Sequence, residues 1–267
     1  MKTPSFYRAQ AREVLKDNWG KSALATLAFT ICVMIPSFIV VVGANGFESD
    51  YSAIWLVLAL VAGFGVVPFS FGFCTAFLSY CRNKETKLLK ETWNNGIHNY
   101  GRFLGAFLLF YLLLFVVYGV LGAASFMIGN SDSSIILIIY VLIALWVFFL
   151  IFKLCYSYRL VPYLLHDNPQ LKAFQALKES NQQMKGYKRM LLLLDLSIMQ
   201  WYLYAFVIAL LLVTLGGIVS SNGLLIIGGI VLLAGLIGML FLYPYILTAS
   251  ALFYEDLKNE NTQQSED

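Results

Sequence analysis

A charged side chain inside a long apolar run is costly in lipid, and such residues commonly mark sites or buried pairs. Asp195 is the clearest case. It interrupts an apolar run at 190–196, about six residues past Arg189, which is about 9 Å of helix, and Ser197 and Gln200 follow it. Lys153 lies at a comparable depth inside the preceding apolar run, with Arg159 just beyond it. Charges of opposite sign at one depth suggest a buried Asp195–Lys153 pair, with Arg159 as a third member. The same residues permit a simpler arrangement, in which Lys153 snorkels to the membrane surface and Asp195 accepts hydrogen bonds from a neighbouring helix. Asp195, Lys153, Arg159, Ser197 and Gln200 form the candidate intramembrane polar cluster, either functional or a packing device.

The sequence contains no phosphate-cradling glycine loop, no HExxH and no nucleophile elbow. His98 and His166 are single and far apart, each in a polar connection. Cys32, Cys74, Cys81 and Cys155 lie in apolar runs or at their basic ends, lack CxxC or Cys/His ligand spacing, and read as packing residues rather than disulfides. The expectation is a protein with no catalytic centre, no metal site and no cofactor, hence not an enzyme.

The elements that position these residues follow from composition. Of 267 residues, 60% are apolar and 12% charged, with a mean hydropathy of +0.74. Soluble domains carry about 25% charged residues, so a water-soluble globule, a disordered chain, a disulfide scaffold and a basic nucleic-acid binder are excluded. Six runs approach or exceed the ~20 apolar residues that a span needs: about 22–42, 52–80, 103–128, 134–158, 190–215 and 224–254. The first exceeds the apolar core of a secretory leader and is read as a retained span. The expected fold is a single all-α membrane domain over 1–267. It has an amphipathic helix at 1–21, six spans, and an acidic polar tail at 255–267.

The net charge of +3 conceals a segregation. Five basic residues fall in 2–21, five in 82–102, seven in 153–189, and the last is Lys258. The connections at 43–51, 129–133 and 216–223 hold none, and the first two carry only acids, Glu48, Asp50 and Asp132. The positive-inside bias places the basic segments in the cytoplasm, and an even span count puts both termini there. Lys21, Arg102, Lys185, Lys188 and Arg189 stand at span mouths and are candidate contacts for anionic lipid headgroups.

Amphipathic stretches precede the odd-numbered spans. Tyr7, Ala11, Val14, Leu15 and Trp19 share one helical face. Leu88, Leu89 and Trp93 mark a shorter stretch, and Asn168-Pro169 reads as an N-cap and first helical residue for a stripe of Phe174, Leu177 and Met184. Basic helices of this kind are expected in the headgroup plane. Asn18-Trp19-Gly20-Lys21, Asn99-Tyr100-Gly101-Arg102 and the looser Lys185-Gly186-Tyr187-Lys188 recur before spans one, three and five. Pro68-Phe69, Pro162-Tyr163 and Pro244-Tyr245 recur towards the ends of the even spans. They suggest three parallel units, each an interfacial helix and a two-span hairpin.

Several of these motifs together resemble a known family. They are Arg12 to Lys21 (REVLKDNWGK), Ala176-Leu177-Lys178-Glu179-Ser180, Met184-Lys185-Gly186-Tyr187-Lys188, Leu194-Asp195-Leu196-Ser197 with Trp201, and Pro244-Tyr245 with Phe253-Tyr254-Glu255-Asp256-Leu257. The combination resembles the bacterial membrane family filed as domain of unknown function 975. Where that family continues Leu-Ser-Phe-Ile-Gly-Trp, this chain has Leu196-Ser197-Ile198-Met199-Gln200-Trp201, and its last connection between spans is longer. The resemblance implies a multi-pass protein of the bacterial cytoplasmic membrane and carries no activity. The leading functional reading is a non-enzymatic protein that binds anionic membrane lipids or a protein partner at its cytoplasmic face, in envelope organisation or regulation. The alternative is a transporter or channel for a small or lipidic substrate. Small residues such as Gly101/Gly105 and Ala234/Gly238 permit close helix contacts within or between copies. Nucleic acid is not an expected partner.

Overall fold

The computed structural model describes residues 2–46, 52–128 and 134–266. Glu48, Asp50 and Asp132, the acids assigned to the side opposite the basic segments, lie outside the described residues. Every regular element among the described residues is a helix. In chain order they are α1 (Pro4–Leu15), α2 (Trp19–Gly46), α3 (Ser52–Arg82), α4 (Leu88–His98), α5 (Tyr100–Ile128), α6 (Ser134–Ser157), α7 (Val161–Asp167), α8 (Ala173–Gln183), α9 (Lys188–Ile218) and α10 (Asn222–Glu266). Six of them, α2, α3, α5, α6, α9 and α10, are long and apolar enough to cross a membrane. The all-α, six-span architecture follows from the hydropathy pattern because a backbone in hydrocarbon must satisfy its own hydrogen bonds.

α10 is the hub of the bundle and packs on α9, α3, α2 and α1. It continues through Pro244 and on to Glu266, so residues 255–266, expected as a polar tail, form its last turns. The buried residues gather at one end. One cluster joins Tyr7 and Ala11 of α1, Leu191 and Leu194 of α9, and Phe253 and Leu257 of α10. A second sets Leu15 against Phe73 and Phe77 of α3, and a third sets Phe103 of α5 against Leu165 and Ala176. This is the end that carries the basic segments.

The short helices differ from expectation in what covers them. The apolar face of α1 is present as read, with Tyr7, Ala11 and Leu15 buried, but protein covers it rather than headgroups. The Tyr7 hydroxyl donates to Asp256 at 2.9 Å and its ring meets Phe253 edge-on. Burial and the Asp256 carboxylate keep that hydroxyl protonated well above its ordinary range. α8 begins at Ala173, not at Pro169. The seven-residue α7 occupies the chain up to Asp167, so Asn168 closes that helix instead, its N–H donating to the Leu164 carbonyl at 3.0 Å. Leu177 and Met184 are buried while Phe174 is 69% exposed.

α4 is turned the other way. It buries Leu88 of the expected stripe together with Thr92, Asn95 and Gly96 against α3, with Asn95 donating to Thr75 at 3.1 Å, and presents Leu89, Trp93 and Ile97 outward. Gly72 is required there, because a Cβ would run into the Thr92 carbonyl and the Gly96 backbone. The order short helix, long helix, long helix recurs three times along the chain, with α7 intervening after α6. The short helices dock on different neighbours: α1 on α9 and α10, α4 on α3, α8 on α5 and α7.

Candidate functional site

The site is built on a helix break. Pro162 lacks an N–H and its ring would clash with the carbonyl four residues earlier, so α6 stops at Ser157 and α7 starts at Val161. The polar groups freed by the break find partners in nearby elements. The Ser157 carbonyl accepts from the Ser180 hydroxyl at 2.8 Å, and the Ser157 Oγ accepts from Lys188 Nζ at 2.5 Å. Arg159 projects from this turn towards Asp195 of α9 and Ser250 of α10.

Arg159 Nη2 donates to Ser250 Oγ at 3.1 Å and lies 3.6 Å from Asp195 Oδ2. The same Oδ2 accepts from the Tyr156 hydroxyl at 3.0 Å. Asp195 is 7% exposed, and its Oδ1 is buried without a hydrogen-bond partner. Leaving such an acceptor unmatched costs about 1–3 kcal/mol. Arg159 keeps 33% of its side chain accessible, because one side of it faces a cavity.

That cavity has a volume of about 530 Å³, within the range of drug-sized ligand sites. Its walls are Phe71 and Cys74 of α3, Phe107, Phe110 and Tyr111 of α5, Met199 of α9 and Met239 and Tyr243 of α10, with Arg159 and Asp195 as its charged members. The exposed residues on its rim, Tyr111 and Cys155, belong to spanning helices α5 and α6. The pocket is therefore apolar with one polar corner, and its exposed lining residues, Tyr243 of α10 included, belong to helices long and apolar enough to cross a membrane.

The expected Asp195–Lys153 pair is not formed. Lys153 is exposed, and Arg159 and Tyr156 hold Asp195 instead. Arg159, expected as the third member of that cluster, comes from the turn after α6 to face Asp195, while Lys153 stays on an exposed face of α6. Ser197 turns back on its own helix, donating to the Leu194 carbonyl at 2.7 Å, while its own carbonyl accepts from Arg8 at 3.2 Å. Ser197 and Gln200 are not among the cavity walls. Of the five candidate headgroup contacts, Lys21, Lys185 and Arg189 are exposed. Arg102 is occupied by the Leu165 and Asn168 carbonyls at 3.1 and 3.0 Å and by Asn99, and Lys188 by Ser157 and Asn181.

Sequence reasoning missed the Asp167 cluster. Asp167 accepts both Nη groups of Arg82 at 2.7 and 2.8 Å, Lys258 at 2.6 Å and the Tyr254 hydroxyl at 3.1 Å, and Arg82 also pairs with Glu255. This cluster ties the ends of α3, α7 and α10 together. Its only sequence signal is a carboxylate at the end of a short apolar helix. Among the described residues no group of three His, Cys, Asp or Glu could hold a metal, and the cysteines are free thiols.

Compared with known proteins, residues 1–261 match a family described as Protein of unknown function (DUF975). No curated protein and no solved structure matches the chain.

Proposed function

From the premise that the chain belongs to the DUF975 family of proteins of unknown function, we propose that it is a non-enzymatic, multi-pass protein of the bacterial cytoplasmic membrane that binds a membrane amphiphile. The basic end faces the cytoplasm, as the segregation of all 18 basic residues favours. The amphiphile lies with its chain in the apolar cavity and its head at the Arg159–Asp195 corner. The observation that carries this reading is an apolar cavity of about 530 Å³, set among helices long and apolar enough to cross a membrane, with the Arg159–Asp195 pair as its charged corner. The exposed Lys21, Lys185 and Arg189, together with the outward Trp93 and Phe174, seat the same end in an anionic headgroup layer.

The test is purification in a mild detergent, followed by extraction and mass spectrometry of whatever stays bound. Met199→Trp fills part of the cavity from its α9 wall and leaves the charges of Arg159 and Asp195 in place. The wild-type protein is expected to retain a defined amphiphile near one per chain, and the variant, still monodisperse, at least about fivefold less, which is about 1 kcal/mol of affinity. Equal retention by both proteins overturns the reading.

A further inference from the structure

We infer that α4 dips into the bilayer along α3, its Leu89–Trp93–Ile97 face against lipid and Ile97 deeper than Leu89. The inference rests on the membrane placement above and not on the cavity. It adds the direction of one helix and the occupant of its outer face. The register of α4 on α3 is its basis. Ser79 Oγ donates to Glu91 at 3.4 Å, and Asn95 donates to Thr75 at 3.1 Å. Gly72 faces the Thr92 carbonyl and the Gly96 backbone, and the Phe69 ring lies 4.9 Å from that of Trp93. The Tyr100 hydroxyl, at the start of α5, donates to the Phe64 carbonyl at 3.4 Å. Numbering rises from 91 to 100 on one side while it falls from 79 to 64 on the other, so α4 runs back antiparallel to α3. The contacts follow α3 over about 22 Å of helix.

A helix lying flat in the headgroup plane would cross α3 within a turn or two. This one follows the axis of a helix that is apolar enough to cross a membrane over Val57–Arg82, a stretch that contains all of those α3 positions. What covers α4 on its outer side is then what surrounds α3 at the same depth. The face of α3 beneath α4 recurs at Pro68, Gly72, Thr75 and Ser79, and it continues at Phe64 and Leu60, which are exposed. On a spanning helix such a face meets lipid tails. α4 replaces lipid on the basic half of that face with Thr92, Asn95 and Gly96, and turns an apolar stripe of its own outward. Charge is graded in the same sense. Lys87 and Lys90, both exposed, stand at the end of α4 nearest Arg82, where they suit anionic headgroups. Trp93 and Ile97 follow further along α3, where an indole suits the boundary between headgroups and tails. His98, beside Ile97, turns back on its own helix, its Nδ1 donating to the Asn94 carbonyl at 2.9 Å.

The experiment is fluorescence quenching of the full-length protein in vesicles of phosphatidylglycerol and phosphatidylethanolamine whose acyl chains carry bromine. Trp93→Phe supplies the background, and one tryptophan is added to it by Leu89→Trp or by Ile97→Trp. All three positions are exposed, so the substitutions leave the packing of α4 on α3 in place. The difference from Trp93→Phe isolates the ring at 89, 93 or 97. Positions 89 and 97 are about 12 Å apart along the helix. The ring at 97 is expected to be quenched at least about twofold more than the ring at 89, with Trp93 between them. Equal quenching at 89 and 97, or stronger quenching at 89, overturns the inference by laying the helix flat or reversing it. No quenching at any of the three overturns it as well, whether water or a second copy of the chain covers the face. Both results leave the cavity reading to its own test, and equal amphiphile retention by Met199→Trp leaves the orientation of α4 standing. Trp146 and Trp201, exposed on α6 and α9, report the membrane placement itself. Absence of their quenching in Trp93→Phe overturns that placement and this inference with it.

Discussion

At the basic end of the bundle Tyr7, Phe77, Tyr163 and Phe253 are enclosed by protein, whereas at the opposite end Phe115, Phe126 and Ile218 keep 74%, 78% and 79% of their surface exposed. The residue types are similar and the solvents differ. Lipid tails are as apolar as a leucine side chain, so helices in hydrocarbon gain little by hiding leucine from lipid. The basic end carries most of the charged residues, and there burial, ion pairs and hydrogen bonds specify one arrangement. The chain thus has a protein-enclosed basic end from which six span-length helices extend with much of their apolar surface exposed. Its cavity lies where the two regimes meet, apolar on its walls and polar at one corner.

The largest way to break this comparison is to remove a fully enclosed ring at the basic end. Tyr7→Ala deletes the residue that joins α1 to Phe253 and Asp256 and is expected to destabilise the protein by about 4 kcal/mol, seen as a lowered denaturation midpoint in detergent. A loss below about 1 kcal/mol would mean that α1 is only an appendage. Asp167→Ala tests the ion cluster. Asp167 is nearly buried, but Arg82 and Lys258 are 38% and 48% accessible and can rehydrate, so the expected loss is about 2 kcal/mol rather than the 3–5 of a fully buried pair. Thermal unfolding followed by loss of monodispersity reads it. Away from the basic end, Leu236→Ala on the exposed face of α10 is expected to change stability by less than about 0.5 kcal/mol. A cost near that of Tyr7→Ala would show that another copy of the chain covers this surface.

Much of this fold was legible because the decisive signal is local. An apolar run of span length and one carboxylate inside a run are both readable within a few dozen residues. Asp195 was visible for that reason. Arg159 was visible only as a third member behind Lys153, since position along a helix does not give rotation, and Arg159 arrives through a break at Pro162 between α6 and α7. Lys153 stands on the wrong face. The Asp167 cluster was less visible still, because Arg82 and Lys258 stand 85 and 91 residues away from it in sequence. The amphipathic face of α1 was read correctly, but periodicity says only that a face must be covered, and α9 and α10 cover it rather than lipid. α4 inverts the rule by burying its polar, small face, which the Gly72–Gly96 contact makes possible. The cavity has no periodic signal at all, since it is a space left between helices rather than a pattern along one.

The seat of α1 on α10 has a kinetic meaning as well. Tyr7 and Asp256 are 249 positions apart, and contacts of such separation close last because the chain between them must first be ordered. A chain that ended before the last turns of α10 would lack Phe253, Asp256 and Leu257, the groups among which Tyr7 is buried, and α1 would keep that part of its apolar face uncovered.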